Sequence, residues 1–233
     1  MNPFQRFLDK LHDTFIVDDR WTYLTNGLTI TLIVTFFAAL LGIVLGFLIA
    51  IVRSTYAKTG KLRILNFLAK LYLTVIRGTP VLVQLMIIYF VIFASFNVSK
   101  IFVAIMAFGL NSAAYVAEIV RSGIMSIDNG QFEAGASLGL NYPKTMIHII
   151  LPQALRNILP ALANEFIVLL KETSVAGNIA LNDLTKGGDI IRSATYEAFL
   201  PLIAVALIYL AMVMILSRLV ALLERRLAKS DLR

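Results

Sequence analysis

The run WTYLTNGLTITLIVTFFAALLGIVLGFLIAIV, residues 21–52, contains no charged residue. About 20 apolar residues cross the hydrocarbon of a bilayer as a helix, since lipid offers backbone groups no partner other than the helix itself. A membrane span within residues 26–52 follows. Gly42 and Gly46 stand four apart in it, a spacing that lets another helix approach closely. Upstream, Trp21 and Tyr23 carry the amphipathic rings that settle at a membrane interface. Phe4, Phe7, Leu8, Leu11 and Phe15 recur near helical spacing in a lead-in that is otherwise polar. That lead-in mixes Arg6, Lys10 and Arg20 with Asp9, Asp13, Asp18 and Asp19, so no secretory signal is expected there.

Composition agrees with the opening run. The chain has 233 residues, 59% hydrophobic and only 15% charged, with a mean hydropathy of +0.82; a soluble domain carries about 25% charged residues. A single integral membrane domain is the natural reading. In such a protein the formal charge of +7 belongs to loops facing anionic lipid and does not point to nucleic acid. Without cysteine there is neither disulfide nor thiol chemistry.

Working outward, further spans are expected near residues 80–97, 101–121, 149–170 and 198–217. The apolar stretch 62–98 is interrupted at Arg77-Gly78-Thr79-Pro80, which predicts a helix through about Ile76, a break, and then the second span. Residues 171–197 are polar and glycine-bearing, an external loop with room for a short re-entrant helix. Arg53, Lys58, Lys61 and Arg63 form a basic loop without an acid, and Arg218, Arg225, Arg226, Lys229 and Arg233 crowd the end. By the positive-inside rule both are cytoplasmic. The expected architecture is an all-α polytopic membrane protein of about five transmembrane helices, N-terminus outside and C-terminus inside. Its membrane-embedded core covers about residues 26–217 of one domain spanning 1–233.

Between the third and fourth spans stands FEAGASLGLNYPKTMIHIILP, residues 132–152. Glu133 opens a cluster of small residues, Ala134, Gly135, Ala136 and Gly139, that would leave one side of a short helix nearly bare. Asn141-Tyr142-Pro143 is expected to break that helix. Such an element suits docking of another protein and equally suits an interfacial connector.

The spacing Glu133-Ala134-Gly135, Gly139, Ile149, Leu151-Pro152 resembles the EAA loop of bacterial ABC importer permeases. Arg77-Gly78-Thr79-Pro80, Ala114-Tyr115-Val116-Ala117-Glu118-Ile119 and Leu170-Lys171-Glu172-Thr173-Ser174 resemble the polar amino acid uptake branch of that family. The resemblance covers most of the chain, from about Gly27 to Leu222. It implies a coupling helix over 131–142, docked on an ATPase subunit through Glu133, Ala134, Gly135 and Gly139 with Pro152 closing the motif. It further implies an ATPase dimer that binds ATP and magnesium, a second permease copy or paralogue, an extracytoplasmic amino acid binding protein, and a bacterial inner membrane. Gly135 departs from the family's alanine. Glycine costs roughly 1 kcal/mol of helix propensity but keeps the face small.

Polar groups inside spans are expensive and face a bundle interior or a wet cavity. The candidates are Arg77, Gln84, Asn111, Tyr115, Glu118, Asn164 and Glu165, with Arg121 and Lys171 beside them. Each serves either helix packing or a solute pathway, and Glu118 can pair with Arg121 three residues on. An ammonium group would gain from Glu118 or Glu165; a carboxylate would gain from an arginine or from backbone freed at the Gly78-Thr79-Pro80 break. No GxxxxGK[ST], HExxH or GxSxG motif occurs, so the chain is not expected to be an enzyme or to hold a cofactor or metal. The leading expectation is therefore the permease subunit of an ATP-driven amino acid importer. The alternative is an ion-coupled secondary transporter using Glu118 or Glu165.

Overall fold

A computed structural model of the chain describes residues 2–230, with side chains for residues 2–226. Among the described residues there is helix and no strand. The helices are α1 (Pro3–Leu11), α2 (Trp21–Thr59), α3 (Arg63–Gly78), α4 (Val81–Ile87), α5 (Lys100–Met125), α6 (Asn129–Ser137), α7 (Tyr142–Thr145), α8 (Leu151–Glu172), α9 (Leu184–Thr195) and α10 (Phe199–Ser230). Four stretches, Trp21–Thr59, Lys100–Met125, Tyr142–Ile179 and Phe199–Arg226, are long and apolar enough to cross a membrane. The pair Arg63–Gly78 and Val81–Ile92 passes the same test only when its two halves, bent by 109° at the break, are taken together. The break falls where the sequence put it: Thr79 is extended at φ −124° and ψ 147°, as the residue before a proline must be. Lys229 (side chain) and Arg233, part of the basic C-terminal stretch, lie outside the described residues.

The chain forms two compact units. One is built from the chain up to Ala38, Val81–Phe108 and Val168–Leu216. Its core gathers Leu24, Leu184, Ile191 and Val205. Thr31 Oγ1 accepts a hydrogen bond from the Leu184 amide at 3.1 Å, and Lys100 Nζ donates to the Ala180 carbonyl at 3.0 Å. Asp183 caps α9, its carboxylate accepting from the amides of Thr185 and Lys186, each at 3.2 Å. Burial pushes the pKa of that carboxyl up to about 6.

The other unit comprises Ala39–Pro80, Gly109–Ile167 and the chain from Ser217 onward. The paired glycines of α2 act inside it: a methyl on Gly46 would lie 2.5 Å from Val116 Cγ1, so the spacing serves α2–α5 packing. Beyond that contact Ala50, Val120, Ile124, Ile150, Ala154 and Ile158 form a continuous buried core. Leu73 of α3 packs on Ala114 and Ala117 of α5, and the Tyr72 hydroxyl donates to the Leu110 carbonyl.

The loop after α5 corrects one expectation. α6 does not end at Asn141-Tyr142-Pro143; it ends at Ser137, and Gly139 takes the left-handed conformation at φ +74°. The Leu140 amide donates back to Gly135 at 3.0 Å and the Gly139 amide to Ala136 at 2.9 Å, the paired bonds of a Schellman stop. Asn141 then begins α7, its side chain accepting from the Lys144 amide, with Pro143 in the first turn, where no amide is missed.

Candidate functional site

The second unit carries a cavity of about 470 Å³ bordered by Arg77, Tyr115, Glu118, Ser122, Asn157 and Glu165. Glu118 is its electrostatic centre. Arg121, one turn along α5, donates from Nε to both carboxylate oxygens at 3.2 Å and from Nη2 to Oε1. Arg53 of α2 reaches Oε2 from the other side at 3.1 Å, and Arg77 of α3 stands at 4.0 Å. Three guanidinium groups thus share one carboxylate, which leaves the cluster with an excess of two positive charges. Arg77 is the loosely held member: its side chain is 45% exposed, against 20% for Arg53, and its guanidinium lies 5.8 Å from the Tyr115 ring centre. Arg77 and Glu118 also border a neighbouring cavity of about 480 Å³ together with Arg53 and Lys70. The second acid of the first cavity, Glu165, accepts from Ser112 Oγ at 3.0 Å.

Of the polar residues singled out in the sequence, the fold brings Arg77, Tyr115, Glu118 and Glu165 to this cavity. Gln84 is buried in the other unit. Asn111 is buried and borders neither charged cavity. Asn164 is exposed and donates to the Pro160 carbonyl at 3.1 Å. Neutralised from three sides, Glu118 does not offer the open carboxylate that an ion-coupled site needs. Sequence reading assigned Arg53 only to a basic loop. The missed signal is its register: Gly42, Gly46, Ala50 and Arg53 fall on one stripe of α2, and that stripe faces α5.

α6 begins at Asp128, whose Oδ1 accepts from the Gly130 amide at 2.6 Å. Its inner side is braced to the unit at several points. The Phe132 ring stacks on Tyr142 with centres 6.4 Å apart, and Lys58 Nζ lies 4.3 Å over the same ring while donating to Asn129 at 2.7 Å. Gln153 Nε2 of α8 donates to Gln131 at 3.2 Å. Gly135 is buried against Thr145, so the small face at this position is filled by the chain itself. Glu133, Ala134 and Ala136 are exposed, as are Gly139 and, at the start of α8, Pro152. The result is a short helix with one face fixed to α2, α7 and α8 and the other face, led by Glu133, turned outward.

Residues 42–229 match the family described as the binding-protein-dependent transport system inner membrane component. The arginine transport system permease protein ArtQ of Bacillus subtilis is 39% identical over 211 residues, covering 90% of this chain and 94% of ArtQ. The L-cystine transport system permease protein TcyB of the same organism is 37% identical, over 89% of this chain and 87% of its own length. A crystal structure of an amino acid ABC transporter with histidines contains a chain 42% identical that superposes with a TM-score of 0.82, over 91% of this chain and 98% of that one. The chain is a multi-pass membrane protein and belongs to the family of binding-protein-dependent transport system inner membrane components.

Proposed function

We infer that this chain is the membrane-spanning permease subunit of an ATP-driven amino acid importer. The family supports that reading, and so do relatives that are permeases for arginine and cystine. Membership of the family implies pairing with a second permease chain and with an ATPase. The observation that carries the mechanism is the bracing of α6. A helix fixed on its inner side by Phe132, Gly135, Asn129 and Gln131 moves with the spans it is fastened to. An ATPase pair gripping the outward face at Glu133, Ala134 and Ala136 would therefore act on the transmembrane bundle as a rigid lever, switching access between the two sides. ATP and magnesium bind to that partner, which carries the hydrolysis; this chain contributes no catalytic group. α6 then lies on the cytoplasmic side, and an extracytoplasmic binding protein delivers the solute opposite. Solute passes the cavity at Arg77: its forked donors suit an α-carboxylate, while Glu165 suits an ammonium group.

The test is co-purification from native membranes followed by transport. The intact chain should bring down an ATP-hydrolysing subunit, and Glu133→Arg should lose it. Reconstituted with that subunit and the binding protein, the chain should accumulate arginine, histidine, glutamine or cystine only when ATP is supplied. Uptake driven by an ion gradient without ATP would overturn the reading.

A further inference from the structure

The unit that carries α6 holds another cavity, of about 330 Å³. Its walls include Phe47 and Ile51 of α2, Val120 and Ile124 of α5, and Met146 and Ile147 beyond α7. Two polar groups break this apolar lining. Ser54, 1% exposed, has its hydroxyl buried without a hydrogen bond. The Tyr142 hydroxyl is likewise buried, and Thr55 approaches it without an aligned bond.

A buried hydroxyl left unpaired costs about 1–3 kcal/mol, so two beside one cavity point to something that completes them. A single water fills roughly 30 Å³. It could answer the hydroxyls but would leave most of the volume as a void of a kind that packed interiors do not keep. The mouth indicates what fills the rest. Ile51 and Ile147 are 52% and 59% exposed, and Ile51 continues the outward stripe of Val44 and Leu48 along α2. Ile51 stands at the end of the charge-free run 21–52 of a helix with the length and composition of a membrane span, next to Arg53 and Lys58, which sets the mouth at the edge of the hydrocarbon, where acyl chains meet headgroups.

We propose that this cavity is a lipid site: it takes one acyl chain of a membrane phospholipid, with an ester oxygen of the glycerol region at the Ser54 and Tyr142 hydroxyls. Exposed Lys144, next in the chain to Pro143 of the wall, adds a cation for the phosphate. A chain seated there packs on Tyr142, whose ring stacks on Phe132 of α6, so the lipid stiffens the platform that holds α6.

The experiment places the protein in nanodiscs containing a phospholipid with a diazirine in its acyl chain, followed by photolysis and peptide mapping. Label is expected on Val120 or Ile124, which are 0% and 3% exposed and out of reach of lipid lying on the outer surface. Ser54→Ala should lower that label about fivefold, the worth of one neutral hydrogen bond. Ile51→Trp, an exposed substitution at the mouth, should lower it at least as much. Melting temperature gives a second reading: Ser54→Ala lowers it when lipid occupies the cavity and raises it when the cavity is empty. Label confined to outer positions such as Phe36 and Leu48, label at Val120 and Ile124 indifferent to both variants, or a raised melting temperature for Ser54→Ala would overturn the proposal. So would crosslinks from the cavity to a protein partner.

Discussion

A methyl group on Gly135 would stand 2.5 Å from Thr145 Cγ2 and 2.7 Å from its Oγ1, so these two residues fit each other only while one of them is a glycine. Thr145 is buried and β-branched, with little freedom to swing aside. Gly135→Ala should therefore destabilise the α6–α7 hairpin by about 1–3 kcal/mol, outweighing the roughly 1 kcal/mol that alanine brings to a helix. The double variant Gly135→Ala with Thr145→Ala should recover most of the loss. Hydrogen exchange across residues 129–145 measures both; protection in the single variant equal to that of the native chain would remove this account.

Removing the charge of Glu118 leaves Arg53, Arg77 and Arg121 facing one another. Glu118→Gln keeps the shape and should lower stability by about 1–3 kcal/mol, between the values for exposed and for buried pairs broken from one side, because these side chains are a fifth to nearly half exposed. Adding Arg53→Gln should return part of that loss by relieving the repulsion. Thermal unfolding in a mild detergent distinguishes the outcomes, and additive losses in the double variant would contradict a shared cluster.

The raised pKa of Asp183 sets the sign of a pH dependence. Its carboxyl titrates near 3.8 when unfolded and is pushed up to about 6 by burial in the fold. Between these values the folded chain binds the proton and the unfolded chain does not, so stability falls as pH rises from about 4 to about 6. The full contribution is present below pH 4 and gone above pH 6, and its upper bound is about 3 kcal/mol. Asp183→Asn keeps an acceptor for the α9 cap and should flatten this part of the profile. Melting temperatures at pH 4.5, 6 and 7.5 would show it; an unchanged slope in the variant would place the titrating group elsewhere.

Arg77 and Glu165 carry the solute reading. Arg77→Lys retains the charge but loses the fork, and should raise the KM for ATP-driven uptake about tenfold, the worth of one charge-assisted contact. Glu165→Gln should weaken uptake of cationic amino acids more than that of neutral ones. If both variants alter only the maximal rate, and equally for every amino acid, the cavity serves packing and not recognition.

Spans and breaks were legible because they are properties of short stretches. The charge-free run before Val52 reads directly as α2, and the Thr79-Pro80 step reads as the end of α3. The pairing of Glu118 with Arg121 was legible for the same reason, as both lie on one turn of α5. Arg53 and Asn157 were hidden because they reach the cavity from helices distant in sequence, and only packing sets their register against α5. The end of α6 was misread because proline is the louder stop signal, although a glycine able to take a positive φ closes a helix first. Gly135 illustrates the same limit: its size could be read from the sequence, but the side it faces could not.

α6 carries a stop at each end, Asp128 before it and Gly139 after it, and neither stop lies on its outward face. Its outward positions Glu133, Ala134 and Ala136 can then be exchanged as an engineering cassette while Phe132 and Gly135 stay fixed. Under the proposed function, rewriting these three letters would exchange the motor and leave the rest of the bundle as it is.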